Sequence, residues 1–175
     1  MDKTSACAIG HAANALLEQC AAFIQDIPES VYTADAATIR GGTIGKHVRH
    51  SLDHFAAALG GLTCAEPIDY DHRARNVPME TERASALAAI RAMQSQIALL
   101  DDAKISLPVR IRVMLAGDGS EAVLPSTLAR ELAFATHHAI HHNAMMKTIA
   151  AEFGLEVGDA FGKAPSTLNY EAARR

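Results

Sequence analysis

The run His137-His138-Ala139-Ile140-His141-His142 places four of the chain's nine histidines within six residues. In a helix turning about 100° per residue, side chains four positions apart lie one above the other. His138 and His142 therefore share a face, His141 flanks it, and His137 points away toward solvent. His47, His50 and His54 stand at i, i+3 and i+7 spacing in an earlier segment and form a second stripe. Two helices meeting along these stripes would offer three neutral imidazoles to one ion. Three protein ligands leave a coordination position open, where a metal lowers the pKa of bound water or takes a substrate anion. Imidazole suits zinc and nickel, and also iron and copper. Rotation alone does not choose among His47, His50 and His54. The bland alternative, solvated or singly hydrogen-bonded histidines, is the reading for His11 and His72, which no other histidine accompanies at ligand spacing.

Other residues could act beside such a site. Glu131 stands two turns ahead of His138, where it could serve as a general base or orient a ligand. His141 is a second candidate for proton transfer. The segment Asp69-Tyr70-Asp71-His72-Arg73-Ala74-Arg75 reads two ways. Arg73 and Arg75 could hold an anionic substrate group, with Tyr70 and His54 as further substrate contacts. The commoner arrangement is an ion-pair network that fastens the loop to the rest of the chain.

These residues need helices to position them. Ile9, Ala13, Leu16, Cys20, Phe23 and Ile27 recur at three- and four-residue intervals, which predicts a first helix over residues 5–27 that stops at Pro28. Ile44, Val48, Leu52, Phe55 and Leu59 predict a second over 43–59, closed by Gly60-Gly61. A long ordered loop follows, then a third helix over 79–100. Within 105–124, Val109, Ile111 and Val113 alternate with Arg110, Arg112 and Met114 before Gly117-Asp118-Gly119, which predicts a small β-hairpin. Pro125-Ser126-Thr127 supplies helix-entry chemistry, a capping hydroxyl after a proline, for a fourth helix over 127–153, ended by Gly154. The segment 161–167 reads as irregular. The expected fold is therefore all-α, a four-helix bundle with a small β-hairpin inserted between helices three and four, in a single domain spanning residues 1–175.

Composition narrows the function classes. A chain of 175 residues with 49% hydrophobic and 21% charged residues can bury a sizeable core without a structural metal. A net charge of −4 and the lack of a basic cluster exclude nucleic acid and a membrane surface as expected partners. No apolar run approaches a membrane span. The opening Met1-Asp2-Lys3-Thr4 and the interrupted alanine-rich stretch after it lack a signal-peptide core. Cys7, Cys20 and Cys64 are odd in number and show no CxxC spacing, so free thiols in a reducing cytoplasm are expected.

The segments Ile44-Gly45-Lys46-His47-Val48-Arg49-His50-Ser51-Leu52-Asp53-His54-Phe55 and His138-Ala139-Ile140-His141-His142 together resemble the DinB/YfiT-like superfamily of bacterial four-helix-bundle proteins. Its pattern pairs a histidine on the second helix with HxxxH on the last. The resemblance implies His50 as the ligand that joins His138 and His142, around a zinc or nickel ion. It also implies a bundle that is often dimeric, with relatives that include thiol-dependent transferases and mycothiol-dependent maleylpyruvate isomerases. The function expected on this basis is a divalent-metal-dependent enzyme that activates water or a thiol, a hydrolase or thiol-dependent transferase, acting on a small molecule. The alternative is a non-catalytic metal-binding or stress-linked bundle protein. A third reading has no metal and treats the histidines as a pH-sensitive packing patch.

Overall fold

The computed structural model describes residues 4–174, so the opening Met1-Asp2-Lys3 and the final Arg175 lie outside the described residues, as does the side chain of Cys7. Helix α1 (Thr4–Asp26) ends just before Pro28 and is followed by the single turn α2 (Glu29–Tyr32). Helix α3 (Ile44–Gly60) begins where the Thr43 hydroxyl accepts the Lys46 backbone N–H at 3.1 Å. That bond satisfies one of the amide donors that every helix N-terminus leaves open. Strand β1 (Ile68–Asp69) lies in the following connection, and a 3-10 turn at Pro78–Glu80 leads into helix α4 (Arg83–Ala98). After the short α5 (Asp102–Ile105) come strands β2 (Pro108–Met114) and β3 (Glu121–Thr127). Helix α6 (Leu128–Glu152) is capped by the Thr127 hydroxyl, and α7 (Pro165–Ala172) closes the chain.

The four long helices pack in a ring: α1 touches α4 and α6, and α3 touches the same two. Leu17, Ile24, Val48, Leu52, Phe55, Ile90, Leu132, Met146 and Ile149 meet inside it. At roughly 1.5–3 kcal/mol for each large apolar side chain buried, this cluster is the main stabilising term of the fold. The strands form one mixed sheet in the order β1-β2-β3. β1 runs parallel to β2 with Ile68 opposite Ile111, and β2 and β3 are antiparallel with Ile111 opposite Leu124. Ile68, Tyr70 and Ile111 make a second apolar cluster that rests against Phe134 of α6.

The all-α four-helix expectation is thereby corrected: the described chain holds seven helices and a three-stranded mixed sheet. The 62–78 loop contains a strand of only two residues, too short for any alternation to show, and it pairs with β2 across about forty residues of chain. Helix α4 starts at Arg83 because Pro78 and the two residues after it take the tighter turn. The tail read as irregular carries α7.

Two close approaches hold connecting segments against the bundle. A Cβ added at Gly45 would fall 2.0 Å from the Glu80 carbonyl oxygen, so glycine lets the 3-10 turn sit directly on α3. The Tyr32 hydroxyl donates to the Met79 carbonyl at 2.6 Å and fixes the same turn from the other side. Gly162, at φ 75°, lies where a Cβ would meet the Ala144 backbone nitrogen at 2.5 Å, which seats the tail on α6. Among the described residues no helix is long and apolar enough to cross a membrane.

Candidate metal centre

Helices α3 and α6 pack along their histidine stripes. His138 Nε2 lies 3.0 Å from His50 Nε2 and 3.1 Å from His142 Nε2. The three residues each offer one ligand atom, and these atoms all lie within 4.8 Å of one another. For comparison, two nitrogens bound tetrahedrally at 2.0–2.1 Å from zinc are about 3.3 Å apart. The cluster is therefore already close to the spacing that a shared ion would impose.

Burial keeps these rings neutral, which is the state a ligand needs. Desolvation, reinforced by the Arg73 guanidinium and neighbouring imidazoles, lowers the His50 pKa to about 3. Desolvation, with His54 and His141 next, lowers that of His138 to about 4. His142 is lowered in the same way, by burial first and then by His50 and His138. With no proton on the converging nitrogens, each presents a lone pair.

The second ring nitrogens decide how the rings are held. His142 Nδ1 lies 2.9 Å from His47 Nδ1. With its Nε2 facing the cluster, His142 carries its proton on Nδ1 and donates it to His47, so His47 carries its own on Nε2. That atom is buried without a hydrogen-bond partner, and so is His50 Nδ1. Gly42 leaves room there, since a Cβ at this position would stand 3.2 Å from His47 Nε2. His54 Nδ1 donates to the His50 carbonyl at 2.9 Å, and its ring stacks on Tyr70 with centroids 5.1 Å apart. On the other side His54 faces His138 at 4.0 Å between centroids.

Glu131 is completely buried. Its carboxylate accepts from the Tyr70 hydroxyl at 2.7 Å, from Arg130 Nη1 at 3.0 Å and from the Ser126 hydroxyl. Both oxygens are thus engaged, and Glu131 reaches the histidines through Tyr70 against His54. Burial and the hydrogen bond to Glu131 push the Tyr70 hydroxyl well above the usual tyrosine range. His141 is exposed on the flank, with its ring 5.3 Å from that of His142. Arg73 donates to the Tyr70 carbonyl at 2.7 Å, whereas Arg75 is exposed.

Sequence reasoning passed over Arg49 and Glu80. Arg49 donates to Asp53 at 2.9 Å and lies 3.1 Å from the Glu80 carboxylate, while Arg73 lies 3.7 Å from Asp53. The i, i+4 spacing of Arg49 and Asp53 was a usable signal. Glu80 had none, because its partner lies on another element.

No protein-family profile and no solved structure matches the chain. A curated fungal protein from Rhizopus delemar is 37% identical over 120 residues, covering 67% of this chain and 31% of its own length. The relative is named FK506-binding protein 5. This finding overturns the DinB/YfiT-like resemblance and the all-α bundle implied with it. It also overturns the expected function, a DinB-like divalent-metal-dependent hydrolase or thiol-dependent transferase with its histidine triad, and the stress-linked alternative. The chain spans about a third of the length of this relative.

Proposed function

We propose that His50, His138 and His142 hold one divalent metal ion, zinc or nickel, with at least one coordination position left for a small ligand. The observation that carries this reading is the convergence of three ring nitrogens, unprotonated at neutral pH, within 4.8 Å of one another. Such a set suits zinc or nickel better than calcium or magnesium, which prefer oxygen donors. Metal analysis of protein purified without a histidine tag is expected to give about one ion per chain, and His138→Ala is expected to lose it. Retention of the ion by that variant would refute the ligand set. The buried Cys20 and unpaired Cys64 suit a reducing compartment such as the cytoplasm.

A second reading comes from the name of the fungal relative. On this reading the chain shares its capacity to bind FK506, in the apolar cavity of about 780 Å³ between α3 and α4. Leu59, Leu62, Met93, Leu100 and Leu107 line that cavity, and mostly apolar walls suit a largely apolar ligand. Fluorescence or calorimetric titration with FK506 tests it, with Met93→Lys as the control that should abolish saturable binding. No saturation by the unaltered chain would refute this second reading.

A further inference from the structure

Beside the histidines, the loop before α3 and the segment carrying Arg73 border a shallow, open hollow of about 250 Å³. At about 30 Å³ per water molecule, it has room for a small polar group with a few waters. Arg40, Lys46, Arg49 and Arg73 line it together with His50 and His142, and no carboxylate does. The acidic groups facing these cations lie outside the lining: Asp53 pairs with Arg49 and Arg73, Glu80 pairs with Arg49, and Asp71 acts on Arg73, where Arg75 offsets it. Four cations against two carboxylates leave a local charge of +2 in a chain whose net charge is −4.

The donors here are only partly used. Arg49 Nε, Arg73 Nε, His47 Nε2 and His50 Nδ1 are all buried with no hydrogen-bond partner, and all four residues line this one hollow. Arg49 Nε is near Glu80, but its N–H is not aligned on the carboxylate. His47 and Arg49 are each only 9% exposed. Leaving a buried donor unmet costs about 1–3 kcal/mol; Arg49 Nε and Arg73 Nε lie within ion-pair range of Glu80 and Asp53, so the unmet hydrogen-bonding capacity beside this hollow belongs to His47 Nε2 and His50 Nδ1. A neutral acceptor would satisfy the hydrogen bonds and leave the charge of +2 in place. An oxyanion satisfies both.

We infer that this hollow binds a small oxyanion, a phosphate or carboxylate group, held by Arg49 and Arg73 below and drawn in by Arg40 and Lys46 at the rim. Arg40 and Lys46 are exposed, where they raise the local anion concentration. Arg49 and Arg73 already turn Nη1 and Nε to Asp53, Glu80 and the Tyr70 carbonyl, so each has its Nη2 group left to offer an oxyanion. The inference goes beyond the metal reading and does not need it, because every donor belongs to the chain. An ion at His50 and His142 would add a further positive charge on the same wall.

Calorimetric titration with inorganic phosphate and, separately, succinate distinguishes the two sources of such a group. Metal-free and zinc-loaded protein are each used at low ionic strength. Saturable binding of one anion per chain is expected for at least one probe. The Arg40→Gln/Lys46→Gln variant should weaken it at least tenfold with unchanged circular dichroism and metal content, since neither side chain supports the core or the three-histidine cluster. Saturation by neither probe in either form would overturn the inference, and so would undiminished binding by the double variant. Anion binding by a chain that takes neither zinc nor nickel would sink the metal reading alone; metal uptake without anion binding would sink this one alone.

Discussion

The two faces of α3 sit in different surroundings although they alternate along the same seventeen residues. Ile44, Val48, Leu52, Phe55 and Leu59 are at most 4% exposed and meet other apolar side chains. His47, His50 and His54 are buried or half-buried too, but against imidazoles, a tyrosine and guanidinium groups. The first face gains free energy by leaving water. On the second, desolvation is opposed by polar groups that keep unmet hydrogen-bonding capacity, which is tolerated only because the first is so well packed. Stability and chemistry are thus divided between opposite sides of one helix.

Substitutions on the two faces should therefore fail differently. Phe55→Ala is expected to have the largest effect, a loss of about 3–5 kcal/mol from the cavity it leaves, read by urea unfolding, with metal content per folded chain unchanged. His47→Phe should leave the metal-free stability within about 1 kcal/mol and weaken metal affinity roughly 10–100-fold, because it removes the partner of His142 Nδ1. Competition with a chromogenic chelator measures it, and equal affinity would show that His142 needs no such support.

Acid should act on the histidine face before the apolar one. Unfolded histidines titrate near 6.5, whereas His50 and His138 in the fold titrate at about 3 and 4. Between those values the unfolded chain binds protons that the folded chain refuses. The stability is fully present above about pH 6.5 and is lost progressively as pH falls toward 3 to 4. Melting of the metal-free protein is expected to drop by on the order of a few degrees between pH 7 and pH 5, and a flat profile would contradict the buried, neutral cluster. The smallest effect belongs to His137→Ala: its side chain is exposed, and the change should stay within about 0.5 kcal/mol in the same unfolding assay.

The division between the faces of α3 was legible in the sequence, since helical rotation separates Val48, Leu52 and Phe55 from the histidines. So was the common orientation of His138 and His142. The choice of His50 was not available from rotation, because all three histidines of α3 lie on the side facing α6 and only the packing of the two helices sets their depth. Tyr70 with Glu131 was illegible for a different reason: the bond joins residues sixty-one positions apart and depends on β1 pairing with β2. Periodicity reports which face of an element is apolar. It carries nothing about a two-residue strand or a polar partner contributed by a distant loop.

The seating of the Glu80 carbonyl on Gly45 has a thermodynamic consequence for anything that enters beside the histidines. With that turn fixed on α3 and β1 fixed on β2, the segment bearing Arg73 is tethered at both ends, and its guanidinium is held by the Tyr70 carbonyl. A ligand then meets a surface whose ordering took place during folding, and the entropy of immobilising a long side chain does not have to be met at the moment of binding. Gly45→Ala would press on that turn from below, and its first effect would be on how fast a bound group leaves.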